Sequence, residues 1–116
     1  MSAASYKTLT HDLNQALATF RSEQPETMTG FSATAKAALA PGALSAEHKE
    51  LMALAIGIAT HCEGCIGFHV KTLVRMGVPR EQFMEMLAVA VYMGGGPSLM
   101  YAAEAVRAHE QFSEPG

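Results

Sequence analysis

Proline and glycine divide this chain into short segments, and within each segment the apolar residues recur three and four positions apart. That spacing is typical of an α-helix that buries one face. The composition agrees, because Ala, Leu and Met recur and all three favour helices over strands. We therefore predict an all-α fold, compact and formed by a single domain over residues 1–116.

The positions of the breaks predict six helices. Their expected extents in chain order are Tyr6 to Ser22, Pro25 to Leu39, the N-cap Ser45 to Thr60, Cys62 to Gly77, Pro79 to the stop at Gly94, and Pro97 or Ser98 to Phe112. The first helix is expected to bury a stripe that contains Leu9, Leu13, Ala16, Leu17 and Phe20. The third is apolar almost all round from Leu51 to Thr60, which predicts a central position.

Charge argues against several classes of partner. Only 16% of residues are charged and the formal net charge is −3, so the chain offers no basic footprint for nucleic acid. No signal-peptide core or membrane-length apolar run is visible, so we expect a cytoplasmic protein that binds no membrane. The sparse charge and many small apolar residues favour a homo-oligomer, in which copies of the chain cover one another's helical faces.

The chemistry is concentrated in one short stretch. Cys62 and Cys65, the two cysteines of the chain, are spaced to share one face at a predicted helix start and to close into a disulfide. The helix N-terminus would lower the pKa of a thiol placed there. His69 lies one turn after Cys65, where an imidazole can act as its base. Glu50 would reach the Cys62 region if the third and fourth helices pack antiparallel.

This stretch, ELMALAIGIATHCEGCIGFH, reads E-x(11)-C-x-x-C-x(3)-H and resembles the AhpD-like alkylhydroperoxidases of the carboxymuconolactone decarboxylase family. VYMGGGPSLMYAAEA resembles the last helical pair of those domains. The resemblance implies that Cys65 attacks a hydroperoxide, that Cys62 resolves the sulfenic acid to a disulfide, and that His69 and Glu50 relay protons. It further implies a dithiol reductant, assembly as a homo-trimer or homo-hexamer, and no cofactor or metal.

The chain departs from that pattern at one point. Well-studied members carry a further histidine between the cysteines, whereas this sequence has Glu63 and Gly64. A carboxylate there would raise the pKa of a neighbouring thiol by like-charge repulsion. His61 and Tyr92 are candidates for supporting the site from nearby, although His61 could equally cap a helix end.

Other interpretations of the same residues stay open. Cys62, Cys65, His69 and His61 could in principle hold zinc, but structural zinc sites usually draw on two separated ligand pairs. The cysteines could also be buried structural residues. The alternative functions are a decarboxylase of the same family, whose members lack the paired cysteines, and a helical binding or assembly protein without catalysis.

Overall fold

The computed structural model describes residues 5–115, and every regular element within that range is an α-helix. The helices are α1 (Tyr6–Glu23), α2 (Pro25–Leu39), α3 (Ala46–Ala59), α4 (Glu63–Arg75) and α5 (Arg80–Ser113). Ser45 is the N-cap of α3, as predicted, and its hydroxyl accepts the backbone N–H of His48 at 3.1 Å. The all-α prediction is thus confirmed, while residues 1–4 and 116 of the predicted domain lie outside the described residues.

The structure has five helices rather than the predicted six, because the expected fifth and sixth helices are joined across a kink into α5. The break predicted at the glycine triplet is therefore a kink at Gly95, with φ 74° and ψ −155°, and not a loop between separate helices. Glycine adopts such a positive φ without steric cost, so one residue is enough to kink the helix. Pro97 lies two residues after Gly95, where its missing N–H is tolerated at the start of the resumed helix. Pro79 was predicted as the first residue of the fifth helix and is instead the N-cap of α5, one position earlier.

The core lies where α3, α4 and α5 pack against one another. Its fully buried side chains include Leu54, Ile58, Ile66, Val70 and Phe83. The central position predicted for α3 is therefore confirmed on the face that meets α4 and α5.

By length and composition alone α5 could cross a membrane, yet it carries a kink and its Phe83, Leu87 and Ala105 belong to this core.

The stripe predicted on α1 is not buried: Leu9 and Leu13 are half-buried, whereas Leu17 and Phe20 are 37% and 46% exposed. The buried residues of α1 are Tyr6 and Thr10, which lie outside that stripe. α2 buries none of its residues. The apolar period of α1 is real, but none of the helices within residues 5–115 covers the second half of that face. This leaves α1 and α2 at the edge of the molecule and the predicted site on the central pair, α3 and α4.

Candidate functional site

The site lies on the faces that α3 and α4 turn toward each other. The two helices are antiparallel, since Gly57 near the end of α3 meets Cys65 near the start of α4, and Glu50 near the start of α3 meets His69 further along α4. A Cβ added at Gly57 would lie 3.0 Å from the Cβ of Cys65. The missing side chain of Gly57 therefore sets how closely α4 approaches α3 at the cysteine.

Glu50 of α3 and His69 of α4 form a polar contact between the two helices. Glu50 Oε1 lies 2.7 Å from His69 Nδ1, and the two side chains are 10% and 27% exposed. An ionised carboxylate only accepts hydrogen bonds, so Nδ1 carries the proton and donates it to Glu50. Nε2 is then the nitrogen available to accept or return a proton. Cys65 and His69 lie one turn apart on α4, so their side chains share one side of that helix.

Cys62 and Cys65 hold the N-terminus of α4. Cys62 is the N-cap, and its Sγ accepts the backbone N–H of Cys65 at 3.1 Å. The two residues are joined by a disulfide across a Cα–Cα distance of 5.2 Å, and both side chains are half-buried. An N-cap sulfur receives the unpaired N–H groups and positive dipole end of the helix, which favours its anionic form once the disulfide is reduced.

A tight turn between α3 and α4 delivers Cys62 to this position. The N–H of His61 donates to the carbonyl of Ile58 at 3.1 Å, and the N–H of Cys62 donates to that of Gly57 at 2.9 Å. This pair of bonds is a Schellman motif, in which the C′ residue adopts the left-handed conformation usually taken by glycine. Here the C′ residue is His61, with φ 58°, and its ring stacks on Tyr101 of α5 at a centroid distance of 4.7 Å.

The structure brings together most of the residues that the sequence selected. Glu50 meets His69 rather than the Cys62 region that the antiparallel packing was expected to offer, because it lies at the opposite end of the α3–α4 contact. His61 lies directly before Cys62 at a helix end, but its ring rests on Tyr101. Tyr92 is 84% exposed on α5, so its ring is not part of the Glu50–His69 contact.

The zinc interpretation finds no matching ligand geometry. Within residues 5–115, no group of three or more His, Cys, Asp or Glu side chains is arranged to hold a metal ion. The two sulfurs that such a site would need are bonded to each other instead. The arrangement of these residues therefore matches dithiol chemistry more closely than metal coordination.

Sequence reasoning missed a polar cluster between α1 and α5. The buried Tyr6 hydroxyl donates to Glu104 Oε1 at 2.7 Å, and Arg107 Nη2 donates to the same oxygen at 3.1 Å. Burial, followed by the bond to Glu104, raises the pKa of Tyr6 well above its usual range. Burial alone would raise the pKa of Glu104, but the bonds from Tyr6 and Arg107 leave it below its ordinary value. Only the Glu104–Arg107 spacing hinted at this cluster, since Tyr6 is far away in the sequence.

Comparison with known proteins places these residues in a family. The sequence model of the carboxymuconolactone decarboxylase family matches residues 25–108. An uncharacterized protein of Cupriavidus necator is 38% identical over 100 residues, which cover 86% of this chain and 88% of that protein.

Two crystal structures share the fold. A carboxymuconolactone decarboxylase family protein from Legionella pneumophila, solved in its apo form, is 55% identical with a TM-score of 0.92, and the match covers 94% of this chain and 97% of that one. A carboxymuconolactone decarboxylase family protein from Thermotoga maritima, described as possibly involved in an antioxidative response, is 26% identical with a TM-score of 0.79. The match covers 88% of this chain and 87% of that one.

Proposed function

This chain belongs to the carboxymuconolactone decarboxylase family, and on that premise we propose that it is a thiol-dependent peroxidase that reduces hydroperoxides through Cys62 and Cys65. The observation that carries the proposal is the 2.7 Å contact between Glu50 and His69, which orients an imidazole one turn from Cys65. A buried carboxylate that orients a histidine beside a cysteine is the arrangement expected of an activated thiol nucleophile. The antioxidative link of the Thermotoga maritima relative is consistent with it.

The first step oxidises Cys65. His69 Nε2 takes the thiol proton, and the thiolate attacks the distal oxygen of the hydroperoxide. The S–O bond forms as the O–O bond breaks, the sulfur becomes a sulfenic acid, and the alkoxide leaves as an alcohol after taking the proton back from His69. Glu50 stabilises the imidazolium that exists between these two proton transfers.

The second step forms the disulfide. The Cys62 thiolate attacks the Cys65 sulfur, hydroxide leaves and is protonated to water, and the S–S bond closes. The N-cap position of Cys62 supports this role, because the N–H of Cys65 already points at its sulfur and favours the thiolate. A separate dithiol, protein-borne or small, then reduces the pair and is itself oxidised to a disulfide. A cytoplasmic setting would supply such dithiols.

The test uses the fact that the chain has two cysteines. Cys65→Ser should abolish peroxide turnover, because the remaining Cys62 thiol lacks the adjacent base. Cys62→Ser should react once with peroxide and stop at a Cys65 sulfenic acid, which dimedone traps as an adduct on that residue. Full peroxidase activity in Cys65→Ser, or no adduct in Cys62→Ser after peroxide, would contradict the assigned roles.

We also propose that the chain self-associates, with a homo-trimer or homo-hexamer expected from the resemblance. Large apolar side chains of α3 and α5 are exposed in the single chain, among them Ile56 and Val89 at 62% each and Met93 at 75%. Met52 and Val89 also line an apolar groove of about 470 Å³ between these helices. Light scattering should give three or six times the mass of one chain, and Val89→Glu should lower it. A monomeric wild-type protein at micromolar concentration would contradict the proposal.

A further inference from the structure

The turn between α3 and α4 carries a histidine at a position that normally favours glycine. His61 has φ 58°, and among residues 5–115 it is the one non-glycine residue with a positive φ. The same Schellman motif ends α4, where Gly77 takes the equivalent position with φ 74° and donates its N–H to the carbonyl of Val74. A side chain in this left-handed region crowds the backbone, whereas glycine adopts it freely. The turn beside the cysteines therefore carries a cost that its counterpart at Gly77 avoids.

This turn holds the backbone of Cys62. The N–H of Cys62 donates to the carbonyl of Gly57 at 2.9 Å, which ties the residue to the end of α3. The Sγ of Cys62 accepts the N–H of Cys65 at 3.1 Å, which ties it to the start of α4. If His61 left the left-handed conformation, the bond from Cys62 to Gly57 would be lost with the Schellman motif. In the absence of the disulfide, Cys62 would then be free to move away from Cys65.

The ring of His61 offsets the cost of its backbone conformation. It lies nearly parallel to the ring of Tyr101, with a centroid distance of 4.7 Å and an interplanar angle of 9°. Tyr101 is half-buried and packs against the core from α5, so the contact fastens the turn to a helix that carries neither cysteine. Stacked rings stabilise each other beyond the area they bury. A glycine at position 61 would avoid the cost but would leave the turn without this attachment.

We propose that His61 and Tyr101 are positioning residues for Cys62, and that their stack favours closure of the Cys62–Cys65 disulfide. Once the disulfide has formed, the covalent ring itself holds Cys62 beside Cys65. In the dithiol state the turn depends on its hydrogen bonds and on the stack, so the stack keeps the two thiols close together before they react. The inference rests on the proposed function for its purpose, since a peroxidase of this kind must close the disulfide in each cycle.

Loss of the stack is expected to shift the thiol–disulfide equilibrium toward the dithiol. With glutathione as the redox partner, two electrons and the two thiol protons pass to glutathione disulfide. One S–S bond forms in the protein, the S–S bond of glutathione disulfide breaks, and two glutathione thiols are released. An aromatic pair changes an equilibrium constant by about 2- to 10-fold. Because His61 is exposed, we expect a decrease of about threefold, which equals about 14 mV in reduction potential.

The experiment equilibrates the full chain at pH 7 with buffers of defined ratios of reduced and oxidised glutathione, and counts the disulfide and dithiol forms by intact mass after acid quenching. Tyr101→Leu and His61→Ala should each lower the equilibrium constant for disulfide formation by about threefold, and the double variant should lower it no further. Tyr101→Phe keeps the ring and should stay within 1.5-fold of wild type, as should Tyr92→Leu, the matched control at an exposed tyrosine of the same helix. Circular dichroism verifies folding, and His61→Ala tests the same contact even if Tyr101→Leu fails to fold.

Three results would overturn the inference. The first is an equilibrium constant within 1.5-fold of wild type in both His61→Ala and Tyr101→Leu. The second is a Tyr101→Phe constant as low as that of Tyr101→Leu, since the aromatic ring would then not be responsible. The third is a double variant whose decrease is the product of the two single decreases, because the residues would then act independently. The assay contains no peroxide, so loss of peroxidase activity alone would leave this result standing, and the reverse also holds.

Discussion

Replacing Glu50 by Gln changes the charge of the proposed relay while keeping its shape. The buried carboxylate accepts the Nδ1–H hydrogen bond of the partly buried His69 at 2.7 Å. A hydrogen bond to a charged group contributes about 1.5–3 kcal/mol, and 1.36 kcal/mol corresponds to a tenfold change. A glutamine amide can also donate to Nδ1, which would place the imidazole proton on Nε2 and block its action as a base. We therefore expect about a 10- to 100-fold slower reaction of Cys65 with peroxide.

The assay is single-turnover loss of Cys65 thiol in the reduced protein at pH 7, quenched at timed intervals after mixing with hydroperoxide. Glu47→Gln is the matched control, because Glu47 is an exposed glutamate on the first turn of the same helix and should react within twofold of wild type. Circular dichroism verifies that each variant is folded, and His69→Gln should be slowed at least as much. A folded Glu50→Gln protein that oxidises as fast as wild type would refute the reasoning.

The other predictions concern stability and are read by chemical denaturation. Gly57→Ala should be about 1–3 kcal/mol less stable than Gly30→Ala. Both variants gain helix propensity, but a Cβ at Gly57 meets Cys65, whereas nothing lies within 4 Å of a Cβ at Gly30. Equal stabilities would contradict the close approach of α3 and α4. Tyr6→Phe should lower the free energy of unfolding by about 2 kcal/mol at pH 7. The raised pKa of Tyr6 means that the unfolded chain loses this proton first, so wild-type stability should fall as pH rises above about 10, more steeply than in Tyr6→Phe; parallel pH curves would count against the buried bond. His61→Gly should be about 1 kcal/mol more stable than His61→Ala, since both lose the stack on Tyr101 but only glycine relieves the positive φ; the opposite order would contradict the left-handed turn.

Local features of the fold were predictable because they depend on local chemistry. Ser45 as an N-cap and the break at the glycine triplet follow from residues whose backbone preferences are strong. The number of helices was not predictable, because a positive φ at Gly95 serves a kink and a loop equally well. The exposure of Phe20 was also missed, since an apolar period does not say which surface covers it.

Part of the candidate site was likewise predictable from the sequence, and part depended on the packing of the helices. The spacing of Cys62, Cys65 and His69 fixes their placement on one helix, so the sequence was sufficient for them. Glu50 needed the antiparallel packing of α3 and α4, which only the structure supplies. A signal was available in Gly57, because a glycine inside a helix often marks a close approach of two backbones.

The measurement that tests the central claim most directly is the reaction of the reduced wild-type chain with one equivalent of hydroperoxide, with intact mass and free thiols counted together. We predict the loss of two thiols and about two mass units from a single chain, because Cys65 is oxidised and Cys62 closes the disulfide within the same molecule. Thiols that stay unreactive in the folded protein would contradict this, and would favour a decarboxylase or a non-catalytic binding role for the same helical domain.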